Sequence, residues 1–450
     1  MVDTEFTYGS VEMSKKAIRW LYDELPGLVG EGIISPEAAD RLRARYGDVS
    51  DSNRTSIALI VCSVLGATLV GLGIILVLAH NWEFLSRPQR TVLSFAPLVS
   101  AQILVAFTLW RKPDSDAWRE GSGTYLTFSI GASIALIGQT YQIPGDFGAF
   151  MLTWTLLTLP LVYLLNASVP AVLYMAGITA WSGYQQVEHG YAEAFWLLAL
   201  MLVPHLWMSF RQDSFGIRST WLSWAGALTL CVATGITLER SLPGLWILIY
   251  TSLLAFLYLA GVVWVGSSRA LWRRPFRTVG GVGIVVMAVL LSYEWPWERI
   301  GWNHYRTGAE FDMLGNLTDL VLLAVLFTAA MIMLGRTIRG ADKLCGVLGV
   351  SPIIALIAYV LSATIEAPVP AMLLYNGYVL ALGIGILLIG IQAERLGTLN
   401  FGLAILAVWI TARFFDSDMD FVTRGLVFIV LGFAFLAANL TMLRRRRKRA

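Results

Sequence analysis

From residue 56 onward the chain is a succession of apolar runs, separated by short segments rich in charge, proline and tryptophan. Their approximate limits are 56–80, 91–110, 123–143, 149–165, 168–183, 193–210, 220–238, 245–265, 277–293, 317–335, 344–363, 370–391, 398–414 and 421–443. A helix needs about 20 apolar residues to cross about 30 Å of hydrocarbon. In lipid every backbone amide must be satisfied within the spanning structure, which leaves helices or closed barrels. Runs this long and this apolar select helices. The expected fold is therefore all-α: a polytopic integral membrane helical bundle of about fourteen transmembrane helices over residues 56–443. Only 14% of the residues are charged, against about 25% in soluble domains. The division between the fourth and fifth runs rests on Asn166 and Pro170, so counts of twelve or thirteen stay open.

Residues 1–55 read as a small helical hairpin. Val11, Ile18, Leu21 and Leu25 form one apolar stripe, and Pro26-Gly27 is the expected end of the first helix. Ser35-Pro36-Glu37 supplies an N-cap, a proline at the first helical position and a first-turn acid. Ala38, Leu42 and Tyr46 would be the buried face of the second helix. The segment is polar, with no apolar core of a signal peptide. Two short helices bury too little to stand alone, so packing on the membrane domain, on a second copy or on a partner is expected.

Orientation follows from Lys and Arg. With the N-terminus in the cytoplasm, inner loops and helix ends carry Arg111, Lys112, Arg119, Arg211, Arg218, Arg269, Arg273, Arg274, Arg277, Arg336, Arg339, Lys343 and Arg395. The basic tail at 444–450 adds six more cations, making nineteen, whereas the outer side carries six: Arg87, Arg90, Arg240, Arg299, Arg306 and Arg424. Both termini are thus expected in the cytoplasm.

Polar chemistry gathers at the expected outer edge. The third run ends in GASIALIGQTYQIPGDFGAF, residues 131–150. Gly131, Ala135 and Gly138 recur at helical spacing, as on a helix that seats closely against a neighbour. Gln139 and Gln142 stand three apart and, in lipid, would be expected to point into the protein. Pro144-Gly145 suits the centre of a type II turn beside Asp146. His80, Asn81 and Trp82 close the first run, Tyr141 flanks the glutamines, Asp319 opens the tenth run, and Arg413 and Asp416 sit near the last hairpin. If these ends converge, His80, Asn81, Trp82, Gln139, Tyr141, Gln142, Asp146, Asp319, Arg413 and Asp416 would line an outward-facing ligand site. The competing reading makes each of them an interfacial anchor or a hairpin clamp.

The leading expectation is binding or transport of an amphipathic cell-envelope ligand, which aromatic walls with a few amides and acids would suit. A non-catalytic scaffold or sensor acting through the N-terminal hairpin is the first alternative. A transferase or hydrolase using His80 or His304 with an outer acid is the second. His205, beside Pro204, is the ionisable group well inside a run; it either satisfies a carbonyl that Pro204 leaves free or relays protons. Cys62, Cys231 and Cys345 fall singly in separate runs, with neither disulfide nor zinc spacing. Asp416-Ser-Asp418-Met-Asp420 fails as a calcium loop, since Phe421 replaces the required glycine and Val427 the required glutamate. No catalytic residue, cofactor or metal is expected. Membrane lipids, a second copy or a membrane protein are the expected partners, and nucleic acid is not.

Four stretches carry a resemblance: EGIISPEAADRLRARYG (31–47), LGATLVGLGIILVLAHNWEFLSRPQR (65–90), GASIALIGQTYQIPGDFGAFMLTW (131–154) and ARFFDSDMDFVTRGLVFIVLGFAFLAAN (412–439). Together they resemble the bacterial membrane proteins of the domain-of-unknown-function family 2157. The resemblance implies a cytoplasmic N-terminal hairpin, a bacterial inner membrane and many spans, and it assigns a role to no residue.

Overall fold

The computed structural model describes residues 15–46, 82–212, 216–238, 243–264, 271–298, 300, 313–338 and 343–416, with five isolated positions between 422 and 433. The first apolar run lies outside these, as does the fourteenth apart from the five isolated positions. The chain divides into two compact units, Met1–Arg90 and Thr91–Ala450.

In the first unit, α1 (Lys15–Gly30) and α2 (Pro36–Tyr46) are joined by a tight turn. Contrary to expectation, α1 runs through Pro26 and Gly27. It ends where Gly32 takes φ 71° and Ile33 N–H donates to Leu28 carbonyl at 3.0 Å, a left-handed termination that glycine favours. Proline removes one helical bond, whereas the glycine turn satisfies several terminal carbonyls, so the stop falls at the glycine. Ser35 Oγ accepts from Ala38 N–H at 3.2 Å, as an N-cap does. Leu25 and Ala39 are buried, so the inner face of α2 lies one residue beyond Ala38. A 3-10 turn, Trp82–Phe84, precedes α3 (Arg87–Arg111).

The second unit is a series of helices. They are α4 (Asp116–Tyr141), α5 (Phe147–Leu165), α6 (Ser168–His189), α7 (Ala194–Leu200), α8 (Val203–Gln212), α9 (Ile217–Thr237), α10 (Leu245–Trp264), α11 (Pro275–Leu291), α12 (Met313–Ile338), α13 (Lys343–Gly349), α14 (Ser351–Ile365), α15 (Val369–Gln392) and α16 (Leu396–Asp416). Among the described residues, nine helices or helix pairs are long and apolar enough to cross a membrane; α11 is apolar but shorter. Short loops make consecutive segments antiparallel. Their ends therefore alternate between an arginine-rich rim and an arginine-poor one.

The core sits around α10, most of whose membrane-length stretch is buried. Ile247, Ile249, Leu253 and Leu259 are almost without exposed surface in this helix, which packs against α11, α12, α13 and α14. A helix apolar on all sides belongs in such a centre. Glycines let backbones meet there. A Cβ on Gly280 would strike the backbone of Tyr258 and come 2.6 Å from Leu254 carbonyl, and one on Gly402 would lie 2.6 Å from Leu387 N. Gly383 and Gly390 likewise abut Leu406 and Leu399, joining α15 to α16. A second core joins α5 to α9 around Tyr174, Phe195 and Leu222.

Candidate functional site

The α4–α5 hairpin is built differently from the sequence expectation. Gln142, not Gly145, adopts the left-handed conformation, with φ 50°. Ile143 N–H donates back to Gly138 carbonyl at 3.0 Å, closing the helix. Glycine at 145 has no positive φ, so Pro144-Gly145 is not a type II turn. Gln139 and Gln142 are exposed rather than inward-pointing. The reason is length: α4 has 26 residues, about 39 Å at 1.5 Å per residue, so its last turns can reach past the hydrocarbon to polar surroundings. Of the small face, only Gly131 is a seat, its missing Cβ making room for Trp154 at 2.6 Å. Ala135 and Gly138 line an open groove of about 1000 Å³ between α3, α4 and α5.

Asp146 is the N-cap of α5. Its carboxylate accepts from Gly148 N–H at 3.1 Å, Ala149 N–H at 3.0 Å and Tyr184 hydroxyl at 3.2 Å. The two backbone bonds hold its pKa below the ordinary 3.8. Tyr141 hydroxyl pairs with Thr91 Oγ1 at 2.9 Å. Both are structural ties.

Arg413 joins a second cluster on α11, α15 and α16. Asn376 Oδ1 accepts from Arg413 Nε and Trp409 Nε1, each at 3.1 Å. Asn376 Nδ2 donates to Ser292 carbonyl at 2.9 Å and Met372 carbonyl at 2.8 Å. The Asn376 amide is thereby fully used. Sequence reasoning missed it, because one asparagine in an apolar run shows no partner until the helices are placed.

Asp319 stands in a third place. Its side chain is on the inner face of α12, 4% exposed, and makes no hydrogen bond or ion pair among the described residues. Glu193, at the start of α7, makes no capping bond. Glu193 also lines a crevice of about 700 Å³ walled by α6–α10 and α12, including Trp196, Gly226, Leu253 and Val325. The indole N–H of Trp196 is buried there without an acceptor. Glu193 and Trp196 escaped the sequence reading because helix-end acids and tryptophans are common at membrane edges.

Among the described residues no hydrogen bond or ion pair joins Asp146, Asp319 and Arg413, so the outer-edge candidates divide among separate clusters. Trp82 is half-buried, its indole N–H without a partner among the described residues. His80, Asn81 and His304, and the side chain of Asp416, lie outside the described residues.

The arginine-rich rim holds the densest polar network. Arg119 donates to the carbonyls of Leu165 at 2.5 Å and Asn166 at 3.1 Å. Glu120 accepts from Ser168 N–H at 2.6 Å and Val169 N–H at 2.7 Å, replacing the side-chain cap that Ala167 lacks. Arg218 donates to Asn166 Oδ1 and approaches His205 Nε2 at 3.4 Å. His205 does not satisfy a carbonyl in the α7–α8 break. Tyr163 hydroxyl donates to Met201 carbonyl there instead.

An all-helical chain with buried glycine seams, many apolar helices and polar rims is a polytopic membrane protein. Residues 26–171 match the family described as Predicted membrane protein (DUF2157), a domain of unknown function. No curated protein and no solved structure matches the chain.

Proposed function

We propose that this protein binds an amphipathic molecule of the cell envelope, laterally from the bilayer, in the crevice bounded by α6–α10 and α12. In this reading the chain has fourteen spans, lies in the bacterial inner membrane and keeps both termini cytoplasmic, so the arginine-poor rim bearing Asp319 faces outward. The observation that carries it is the indole N–H of Trp196, buried without an acceptor among the described residues in the wall of an apolar crevice. A buried polar group without a partner costs free energy, and such a cost is retained where a ligand recovers it. The α4–α5 hairpin supports binding over catalysis, since Asp146, a candidate base, is already committed to three hydrogen bonds.

Gly226 allows a clean test. A Cβ there meets nothing within 4 Å, so Gly226→Leu fills the crevice without striking backbone. Purified in native-lipid particles, wild type is expected to carry an amphiphile that is depleted at least about tenfold in Gly226→Leu. Equal contents in the two proteins would contradict the proposal.

A further inference from the structure

Resting on that crevice reading, we infer that the bound amphiphile is an uncharged acylglycerol: a free hydroxyl and an ester carbonyl ahead of an acyl chain. The inference begins at Thr229, which lines the crevice from α9. A threonine inside a helix commonly donates its hydroxyl to a carbonyl one turn back. On α9 itself Thr220 donates to Gly216 carbonyl at 2.9 Å, Thr234 to Leu230 carbonyl at 2.7 Å and Thr237 to Thr234 carbonyl at 3.2 Å. Thr229 makes no such bond, nor any other among the described residues. It sits about two turns, or about 12 Å, inside the end of α9 at Thr237. Its O–H is therefore an unspent donor at hydrocarbon depth, in the wall of an apolar space.

Two further groups share one turn at the start of α7. The backbone N–H of Trp196 donates to Glu193 carbonyl at 3.1 Å, and both side chains line the crevice. The Trp196 indole N–H is buried without an acceptor among the described residues, and the Glu193 carboxylate makes no hydrogen bond or ion pair among them. The crevice thus offers two donors, Trp196 and Thr229, and one acceptor, Glu193. A phosphate or sulfonate would accept from both donors but bring negative charge to Glu193. An ammonium would donate to Glu193 but leave both donors without an acceptor. A hydroxyl beside an ester carbonyl supplies a donor for Glu193 and acceptors for Trp196 and Thr229, with no charge to desolvate. Leu253, Val325 and Leu326 continue the crevice with apolar surface for a chain. Leu200, Val203 and Val325 are also exposed on the helix exterior, so the chain can enter sideways from lipid.

The test uses full-length protein in phosphatidylcholine nanodiscs with four photoactivatable probes of equal chain length: hexadecanoyl glycerol, hexadecyl glyceryl ether, hexadecylamine and hexadecylsulfonate. Labelled peptides are identified by mass spectrometry. Hexadecanoyl glycerol is expected to label α7, α9 and α12 at least about tenfold more than the amine or the sulfonate, as when buried polar groups go unmatched. The ether keeps the hydroxyls but lacks the carbonyl, so it should label about threefold to tenfold less than the ester. In Thr229→Val and in Trp196→Phe, ester labelling should fall to within about twofold of ether labelling. Ether labelling should stay unchanged in Thr229→Val and so report an intact crevice. Glu193→Gln keeps an acceptor and removes the charge, so sulfonate labelling should rise at least about threefold. Equal labelling by ester and amine in wild type, a preference for sulfonate, or an ester preference untouched by both Thr229→Val and Trp196→Phe would overturn the acylglycerol assignment and leave the crevice reading standing. No crevice labelling by any probe would overturn both.

Discussion

Asn376 and Arg413 are joined by a 3.1 Å hydrogen bond from Nε to Oδ1, with the guanidinium 4.7 Å over the ring of Tyr293. Tyr293 hydroxyl in turn donates to Ala412 carbonyl at 3.1 Å. One amide thus ties α15 to α16 and to the end of α11. Asn376→Leu removes both acceptor and donor while keeping the volume close. The expected loss is roughly 1–3 kcal/mol, since buried partners are left unpaired but membrane hydrogen bonds are individually modest. Unfolding in mixed detergent micelles measures it, with Arg413→Leu expected to show a smaller loss.

The glycine seam makes a steeper prediction. Gly280→Ala places a methyl against the Tyr258 backbone and Leu254 carbonyl, and backbone cannot step aside as a side-chain tip can. Destabilisation of roughly 1–3 kcal/mol or more is expected, as for overpacked cores. Gly226→Leu, in open space, should be neutral or gain about 0.5–1 kcal/mol from losing a helical glycine. Side-by-side melting curves of the two variants decide whether these glycines differ in the way the packing requires.

Asp146 gives a pH dependence whose sign is fixed. Its pKa is lower in the folded protein than the ordinary 3.8, so the capped state is favoured above the unfolded value. That contribution is lost as pH falls through the lowered folded value. Hydrogen exchange at the Gly148 and Ala149 amides should accelerate below about pH 4 relative to neighbouring helical amides, allowing for the intrinsic pH dependence. In Asp146→Ala it should be fast at every pH. Unchanged protection in the alanine variant would remove the cap from the account.

Helix positions were legible in the sequence to within a few residues where an apolar run is bounded by charge or proline. The runs 245–265 and 370–391 became Leu245–Trp264 and Val369–Gln392. Hydrocarbon thickness and backbone satisfaction leave little freedom there. The interruption at Met201-Leu202, just before Pro204, and the left-handed Gln142 were not legible, because each depends on a turn choice among near-equal alternatives. Side-chain partners were least legible. Asp319 stood out as an acid in an apolar run, but only the packing shows that it is buried, and only the packing brings Glu193 and Trp196 into one crevice with α9 and α12. Asp146 was legible as a hairpin acid, though not as a cap.

Orientation is tested by topology reporters. Fusions after Glu188 should report outside, and fusions after Arg273 should report the cytoplasm. The reverse at both sites would place Asp319 on the cytoplasmic side and exclude an outward-facing crevice.

The most direct measurement is thermal melting of wild type and Gly226→Leu in phosphatidylcholine nanodiscs, each with and without added native membrane lipid extract. With the bound amphiphile near one hundred times its dissociation constant, binding is worth about 2.7 kcal/mol, so wild type should be stabilised by the extract. The variant, whose leucine occupies the crevice beside Leu230 and Leu253, should barely respond. Equal responses to the extract in the two proteins would contradict an amphiphile held in the crevice.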